Sequence, residues 1–219
     1  MKRPILIAAA MDVEFDFLKS KLEKMIYRNL YGYGVYEGEM FGYPVVILNT
    51  GAMEVNAAIA TTIAIHNYNP ELILNEGTAG GHGLSVHKGD IVIGENVVNI
   101  LSCDTVIKKK EEGSNSLEWK LTSFLPGEPN RLIYIKSDER LLNLAKQIEY
   151  LEGKVHVGTI GSGDVWDKEY DRIAMLNEKY GTICEEMEAY GIHMAAEKYN
   201  IPVLSIKIVS NNEMLGEKY

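Results

Sequence analysis

The feature that most constrains this chain is the recurrence of short apolar runs of strand length, with segments of helical period between several of them. The runs are Ile5 to Ala10, Tyr43 to Leu48, Leu72 to Leu74, Ile91 to Val98, Val155 to Ile160 and Val203 to Val209. Near-continuous Val/Ile/Leu runs of this length read as strands buried on both faces, and alternation with helices is the pattern of an α/β fold. The segment Glu54 to His66 shows the helical period well: Val55, Ala58, Ile59, Thr62 and Ile63 fall at i, i+3, i+4, i+7 and i+8, so that face is expected against the sheet. Asn69-Pro70 ends it, because proline cannot continue the backbone ladder and disfavours helix in the residue before it. Further helices are expected over Asp12 to Lys24, Asp138 to Tyr150, Lys168 to Lys179 and Met187 to Tyr199. The alternating aromatics and glycines of Tyr31 to Gly38 suggest a hairpin, which makes the sheet mixed. The stretch from Asn99 to Leu132, with Pro126-Gly127 and Pro129, reads as a surface excursion of the kind that lines sites.

A chain of 219 residues buries enough surface to fold as one domain, expected here over residues 1–219, with no need of disulfide or metal. With 22 Lys+Arg against 31 Asp+Glu the formal charge is −9, which argues against nucleic acid as a partner, since non-specific affinity for it comes from Lys and Arg displacing counterions. The basic cluster Lys108 to Lys110 runs straight into Glu111 and Glu112 and reads as a solvated loop. Cys103 and Cys184 are far apart and form no CxxC pair, which fits a reduced cytoplasmic compartment. The apolar run after Lys2-Arg3-Pro4 meets Asp12 and Glu14 too soon for a signal peptide, and no window reaches the roughly 18 apolar residues of a membrane span.

Three features follow expected strands, where open α/β sheets place ligand sites. Met11-Asp12-Val13-Glu14 lies beyond the first strand; its acids complement a helix dipole or do chemistry. Asn75-Glu76-Gly77-Thr78-Ala79-Gly80-Gly81 reads as a turn whose amides and missing side chains admit an oxygen-rich ligand, or as a turn and nothing more. Cys184-Glu185-Glu186-Met187-Glu188-Ala189 places three carboxylates at the entrance to an apolar helix, with Ser210-Asn211-Asn212-Glu213 as its expected partner at the end of the last strand. No GxGxxG, GxxxxGK[ST] or GxSxG pattern is present, so dinucleotide, nucleoside-triphosphate and serine-hydrolase chemistry lose their usual warrant. His82 and His87 lie five apart, a poor ligand spacing, and no metal site is expected.

In order along the chain, these pieces resemble the purine nucleoside phosphorylase and uridine phosphorylase superfamily, and within it the 5′-methylthioadenosine/S-adenosylhomocysteine nucleosidases. The resemblance rests on Ile7 to Glu14, Asn49-Thr50-Gly51, Asn75 to Gly81, Gly89 to Ile93, Gly161-Ser162-Gly163-Asp164, Glu186-Met187-Glu188-Ala189 and the final strand ending in Ser210-Asn211. It implies a three-layer α/β fold with a central mixed sheet flanked by helices, working without cofactor, as a homodimer, on a small-molecule purine nucleoside. It further implies cleavage of the N-glycosidic bond through an oxocarbenium-like sugar. Glu14 matches the general base on the attacking water, and Glu188 the carboxylate that holds the ribose hydroxyls. Met11 and Met187 match residues that pack on the ribose and 5′ substituent, Thr78 the small hydroxyl residue beside the sugar, and Trp166 the aromatic that stacks on the base. Ala79, Gly80, Glu186 and Ser210 complete the expected substrate-binding set.

Acidic loops at Met11 to Glu14 and Gly51 to Glu54 disfavour phosphate and favour hydrolysis; a phosphate-dependent phosphorylase and a non-catalytic purine-binding protein stay open as alternatives. The sequence departs from the resembled pattern at four points, one of them Asp167, where an apolar residue usually follows the stacking aromatic. Asn211 stands where an aspartate donates a proton to the leaving base, and an amide cannot transfer one; loss of a general acid costs about 10²–10⁴ in rate. A different base such as a 6-oxopurine, recruitment of another acid such as Asp167 or Glu213, or a replaced aspartate would each account for it. Lys207, expected to bind substrate, stands where arginine is common, and the family's C-terminal helix is expected to be missing after Tyr219.

Overall fold

The computed structural model describes residues 2–122 and 134–219, so Pro126-Gly127 and Pro129 lie outside the described residues. Strand β1 (Ile5–Ala9) leads into helix α1 (Asp12–Lys19), then β2 (Glu23–Leu30), β3 (Tyr33–Met40), β4 (Tyr43–Asn49) and helix α2 (Glu54–Tyr68). Next come β5 (Leu72–Gly81), β6 (Ile91–Asn99), the short β7 (Cys103–Asp104) and β8 (Lys120–Leu121), and β9 (Tyr134–Lys136). Helix α3 (Glu139–Ala145), β10 (Val155–Ser162), α4 (Tyr170–Tyr180), β11 (Thr182–Glu186), α5 (Ala189–Lys198) and β12 (Val203–Asn211) complete the chain's regular elements.

One mixed ten-stranded sheet carries the fold, in the order β11-β10-β6-β12-β5-β1-β4-β3-β2, with β9 on β6. β11 also pairs antiparallel with the end of β5, so β5, β12, β6, β10 and β11 close into a ring, and β1 to β4 extend from it as an open wing. Alternation along β1 and β4 distributes side chains to two cores. Leu6, Ala8, Val46 and Leu48 join α2 and α5 on one face, while Ile7, Ala9, Val45 and Ile47 join Phe15 of α1 on the other. Leu141, Leu142 and Ala145 of α3 cover Leu72, Ile93 and Leu204, and Leu176 and Tyr180 of α4 cover Val98 and Ile100. Helices therefore flank the sheet on both sides, the three-layer arrangement expected from the sequence.

The structure differs from the sequence reading at several elements. The helix expected over Asp12 to Lys24 stops at Lys19, and residues Glu23–Leu30 form an edge strand paired with β3 through a Tyr31-Gly32 turn, whose φ values of 56° and 99° suit a tight hairpin. Helix α3 stops at Ala145 rather than Tyr150. The glycine-rich segment Asn75 to Gly81 is not a turn but the second half of β5, hydrogen-bonded to β12 and meeting β11. Cys184 to Glu186 likewise belong to a strand, and the helix begins at Ala189 rather than Met187. Helix α2 turns its small residues inward: Ala57, Ala60, Thr61 and Ala64 are buried, whereas Val55 and Ile59 of the expected inner face are exposed. Small side chains let α2 lie close to α5 in the shared core, and the larger apolar stripe is left facing outward.

Candidate active site

A cleft of about 300 Å³ opens at the C-terminal ends of β1, β5 and β12, where β11 comes across to meet β5. Met11, Glu14, Thr78, Ala79, Gly80, Trp166, Glu186, Met187, Glu188, Ser210 and Asn211 all line it. Lys207 does not: it lies buried beneath the cleft, with its Nζ 2.9 Å from Glu186 Oε2. Ala10, Ala52, Val165, Glu185 and Tyr219 also line it, outside the expected binding set, and of these Glu185 belongs to the acidic cluster that the sequence singles out.

At one end, Glu14 is held by its own loop and by the sheet. Its Oε2 accepts from the amides of Ala10 and Met11, both at 3.0 Å, and its Oε1 accepts from the Thr78 amide at 2.8 Å and the Thr78 hydroxyl at 3.2 Å. Gly77 makes the approach possible, because a Cβ there would lie 2.8 Å from Glu14 Oε1, and its φ of +150° is one that side-chain-bearing residues rarely adopt. A carboxylate accepting three backbone donors has one orientation and remains an acceptor, which is what a base for water requires.

Glu186 ends β11 and accepts from the amides of Glu188 at 3.1 Å and Ala189 at 2.9 Å, the unsatisfied donors that open α5. Glu188 reaches the other way, accepting from the Met53 amide at 2.9 Å. Burial and the neighbouring Glu186 charge push the Glu188 carboxyl up to about 7, against the pull of Lys207. Glu76, behind Glu14 on β5, is raised to about 7 by burial and by Glu14, again opposed by Lys207. Burial disfavours the Lys207 charge, yet Glu186, Glu188 and Glu14 together hold its ammonium above the ordinary lysine range. Lys207 is thus the buried counter-ion of a carboxylate cluster.

At the other end, Trp166 is half exposed, edge-on to Tyr219 with ring centroids 5.7 Å apart. The Ser210 hydroxyl donates to Asn211 Oδ1 at 2.9 Å, and Asn211 Nδ2 approaches Glu213 Oε1 at 3.4 Å. Asp167 is buried in an ion pair with Arg172 and accepts from the Glu169 amide, so it is engaged away from a leaving group. Among the described residues no three His, Cys, Asp or Glu side chains gather as metal ligands.

The phosphorylase superfamily model matches residues 4–218, so the chain belongs to the phosphorylase superfamily. A 5′-methylthioadenosine/S-adenosylhomocysteine nucleosidase of Bacillus thuringiensis is 30% identical over 210 residues, covering 94% of this chain and 85% of that protein. The Neisseria meningitidis nucleosidase of the same name, solved with methylthio-immucillin-A, is 25% identical with a TM-score of 0.80 over 96% of this chain and 87% of that one. Futalosine hydrolase of Helicobacter pylori shares the fold, with a TM-score of 0.78 at 19% identity over 97% of this chain and 85% of that one. Within the superfamily this chain falls in the methylthioadenosine/adenosylhomocysteine nucleosidase family.

Proposed function

We propose that this protein is a purine nucleosidase that uses water to cleave the N-glycosidic bond of 5′-methylthioadenosine, S-adenosylhomocysteine or a related purine nucleoside, releasing the free base. The observation that carries the choice of water is the lining of the cleft. Glu14, Glu185, Glu186 and Glu188 face it, and no lysine or arginine does among the described residues. A phosphate would meet like charge from these carboxylates, whereas a water beside Glu14 meets a fixed acceptor.

The C1′–N9 bond breaks with its electron pair going to the base, and positive charge develops on the sugar. Ionised Glu188, with Glu186 behind it, stabilises that charge and accepts from ribose hydroxyls. Water adds to C1′ and passes its proton to Glu14. Met11 and Met187 supply apolar contact for the sugar and its 5′ substituent, and Thr78 both holds Glu14 and borders the sugar. Trp166 offers its face to the base, and Asn211 donates a hydrogen bond to a ring nitrogen while the base collects its proton from solvent. Lys207 acts from below, its ammonium 2.9 Å from Glu186 Oε2.

Base release measured with and without phosphate tests this reading. The expected result is equal rates and free sugar as product; dependence on phosphate, with ribose 1-phosphate formed, would replace it with phosphorolysis. Tight base binding with no release from any nucleoside would replace it with a binding protein. A homodimer in the cytoplasm completes the proposal. It is supported by the large apolar side chains that α1 and α2 leave exposed, Val13 and Phe17 on the one and Val55 and Ile59 on the other, and by two free cysteines, and a monomer in sedimentation would remove the dimer.

A further inference from the structure

Trp166 carries a half-exposed ring on residues 163–169, a segment between β10 and α4 that is neither helix nor strand. The ring's own contacts are with exposed side chains. The Lys168 ammonium lies 5.0 Å from its centroid, and Tyr219 meets it edge-on with centroids 5.7 Å apart. Such exposed contacts are weak and follow the ring rather than direct it. Its direction is set one residue further on, where the Asp167 amide donates to Glu185 Oε1 at 2.8 Å. That N–H belongs to the planar peptide unit that also contains the Trp166 Cα and carbonyl, so holding it fixes the plane from which the indole departs. Among the described residues, it is the one backbone amide of residues 164–168 that a residue of the sheet accepts.

Both partners of this bond are themselves held. The Asp167 carboxylate pairs with Arg172 of α4 and accepts from the Glu169 amide at 3.0 Å, and Arg172 donates in turn to the Ile100 carbonyl at 3.2 Å. Glu185 is 6% exposed; its Oε2 is buried 3.4 Å from Nε2 of His82, whose Nδ1 meets the Thr182 hydroxyl at 2.8 Å. Oε2 is thereby closed off from the cleft, and the bond to Asp167 is the one hydrogen bond the carboxylate makes among the described residues. Burying a carboxylate is costly, and a loop amide left to itself would be satisfied by water. Fold stability is therefore a poor account of Glu185. A charged acceptor gives a backbone N–H a shorter and stronger bond than water does, and holds it in one place.

We propose that Glu185, packed against His82, is a positioning residue: by holding the Asp167 amide it sets the direction in which Trp166 presents its face to the base. It acts through Trp166 and touches no substrate. The assignment rests on the purine reading of the cleft but not on the hydrolytic step.

A Trp119→Phe background leaves Trp166 as the sole tryptophan, so time-resolved fluorescence anisotropy reads its motion, while calorimetry with free adenine and hypoxanthine reads the stacking. Glu185→Leu is expected to give Trp166 a fast anisotropy decay that the parent lacks. It should also weaken whichever base binds by about fivefold or more, the lower end of what base–aromatic stacking contributes. Glu185→Gln keeps an oxygen for the Asp167 amide and should show no fast decay and an affinity within about twofold of the parent. Added to Trp166→Ala, Glu185→Leu should change base affinity by less than about twofold, because nothing is left for it to position. If the leucine variant does not fold, Glu185→Ala takes its place with the same expectations. Absence of the fast decay, an equal loss of affinity in Glu185→Gln, or a full further loss in the Trp166→Ala protein overturns the proposal. A parent protein that binds neither base overturns the purine reading instead, and the anisotropy comparison then decides the role of Glu185 by itself.

Discussion

The two ends of the cleft are built differently. At the Glu14 end the carboxylates are lashed to backbone amides from several elements: Glu14 to its own loop and to β5, Glu186 to the start of α5, and Glu188 to the turn before α2. At the Trp166 end the side chain that faces the base is held by side chains alone: Asn211 Oδ1 accepts from the Ser210 hydroxyl, its Nδ2 sits 3.4 Å from Glu213 Oε1, and Trp166 beside it is half exposed. Backbone donors cannot swing away, so the end that handles water and a developing cation is set before substrate arrives. Side-chain contacts can adjust, which suits the end that reads the base.

The largest test of that contrast is to remove charge at the rigid end. Glu14→Gln should lower kcat by about 10²–10⁴ with an unchanged circular-dichroism spectrum, because an amide cannot take the proton; its nitrogen also turns a donor toward backbone N–H groups, so a fall of a few °C in melting temperature accompanies the loss. Asn211→Ala should cost only about tenfold in kcat/KM, the scale of one neutral hydrogen bond. Losses of similar size at both positions would erase the distinction between the two ends.

Lys207→Met breaks the rigid end from beneath. It leaves the Glu186 and Glu188 carboxylates without their counter-ion in a buried site, and such removals cost about 3–5 kcal/mol, or a fall in Tm on the order of 10 °C. It should also move the pH profile. With Glu188 near 7 and needed ionised, kcat/KM falls as pH drops below about 7; without Lys207 the carboxyl rises further and the acid limb shifts to higher pH. An unmoved limb would mean that Glu188 does not govern it.

Much of this was legible in the sequence, and the failures have physical causes. Central strands such as β1 and β12 announce themselves because both faces need apolar side chains. β2 does not, since Glu23–Leu30 is an edge strand exposed along nearly its whole length and carries no alternation. Asn75 to Gly81 looked like a turn because glycine signals turns, but here glycine is required by neighbours that crowd a strand: a Cβ at Gly81 would come within 3.0 Å of Asn212. The order of motifs singles out Glu14, Glu188 and Asn211, which line one cleft. Lys207 was placed in the cleft because strand position alone does not say how deep a side chain ends. The sequence puts Glu185 in the acidic cluster but not at a place in the cleft, because only the closure of β11 onto β5 sets it opposite Gly80.

The smallest effect lies just behind the rigid end. Glu54 opens α2; its Oε2 accepts from Asn99 at 2.8 Å and its Oε1 is buried without a partner. Burial, then the charges of Asp164 and Glu186, push its carboxyl up to about 8. Its folded-state value is raised, so between about pH 4.5 and 8 the native protein keeps a proton that the unfolded chain releases. This group's contribution to stability is therefore greatest on the acid side and is lost as pH rises toward 8. Glu54→Gln is neutral at every pH and escapes that loss. Its melting temperature should match wild type near pH 5 and exceed it by a few °C from pH 8 upward, with kcat at pH 7 little changed because Glu54 does not line the cleft. A difference in Tm independent of pH would show that Glu54 is ionised in the fold, and that the negative charge surrounding Lys207 extends one residue further than the cleft itself.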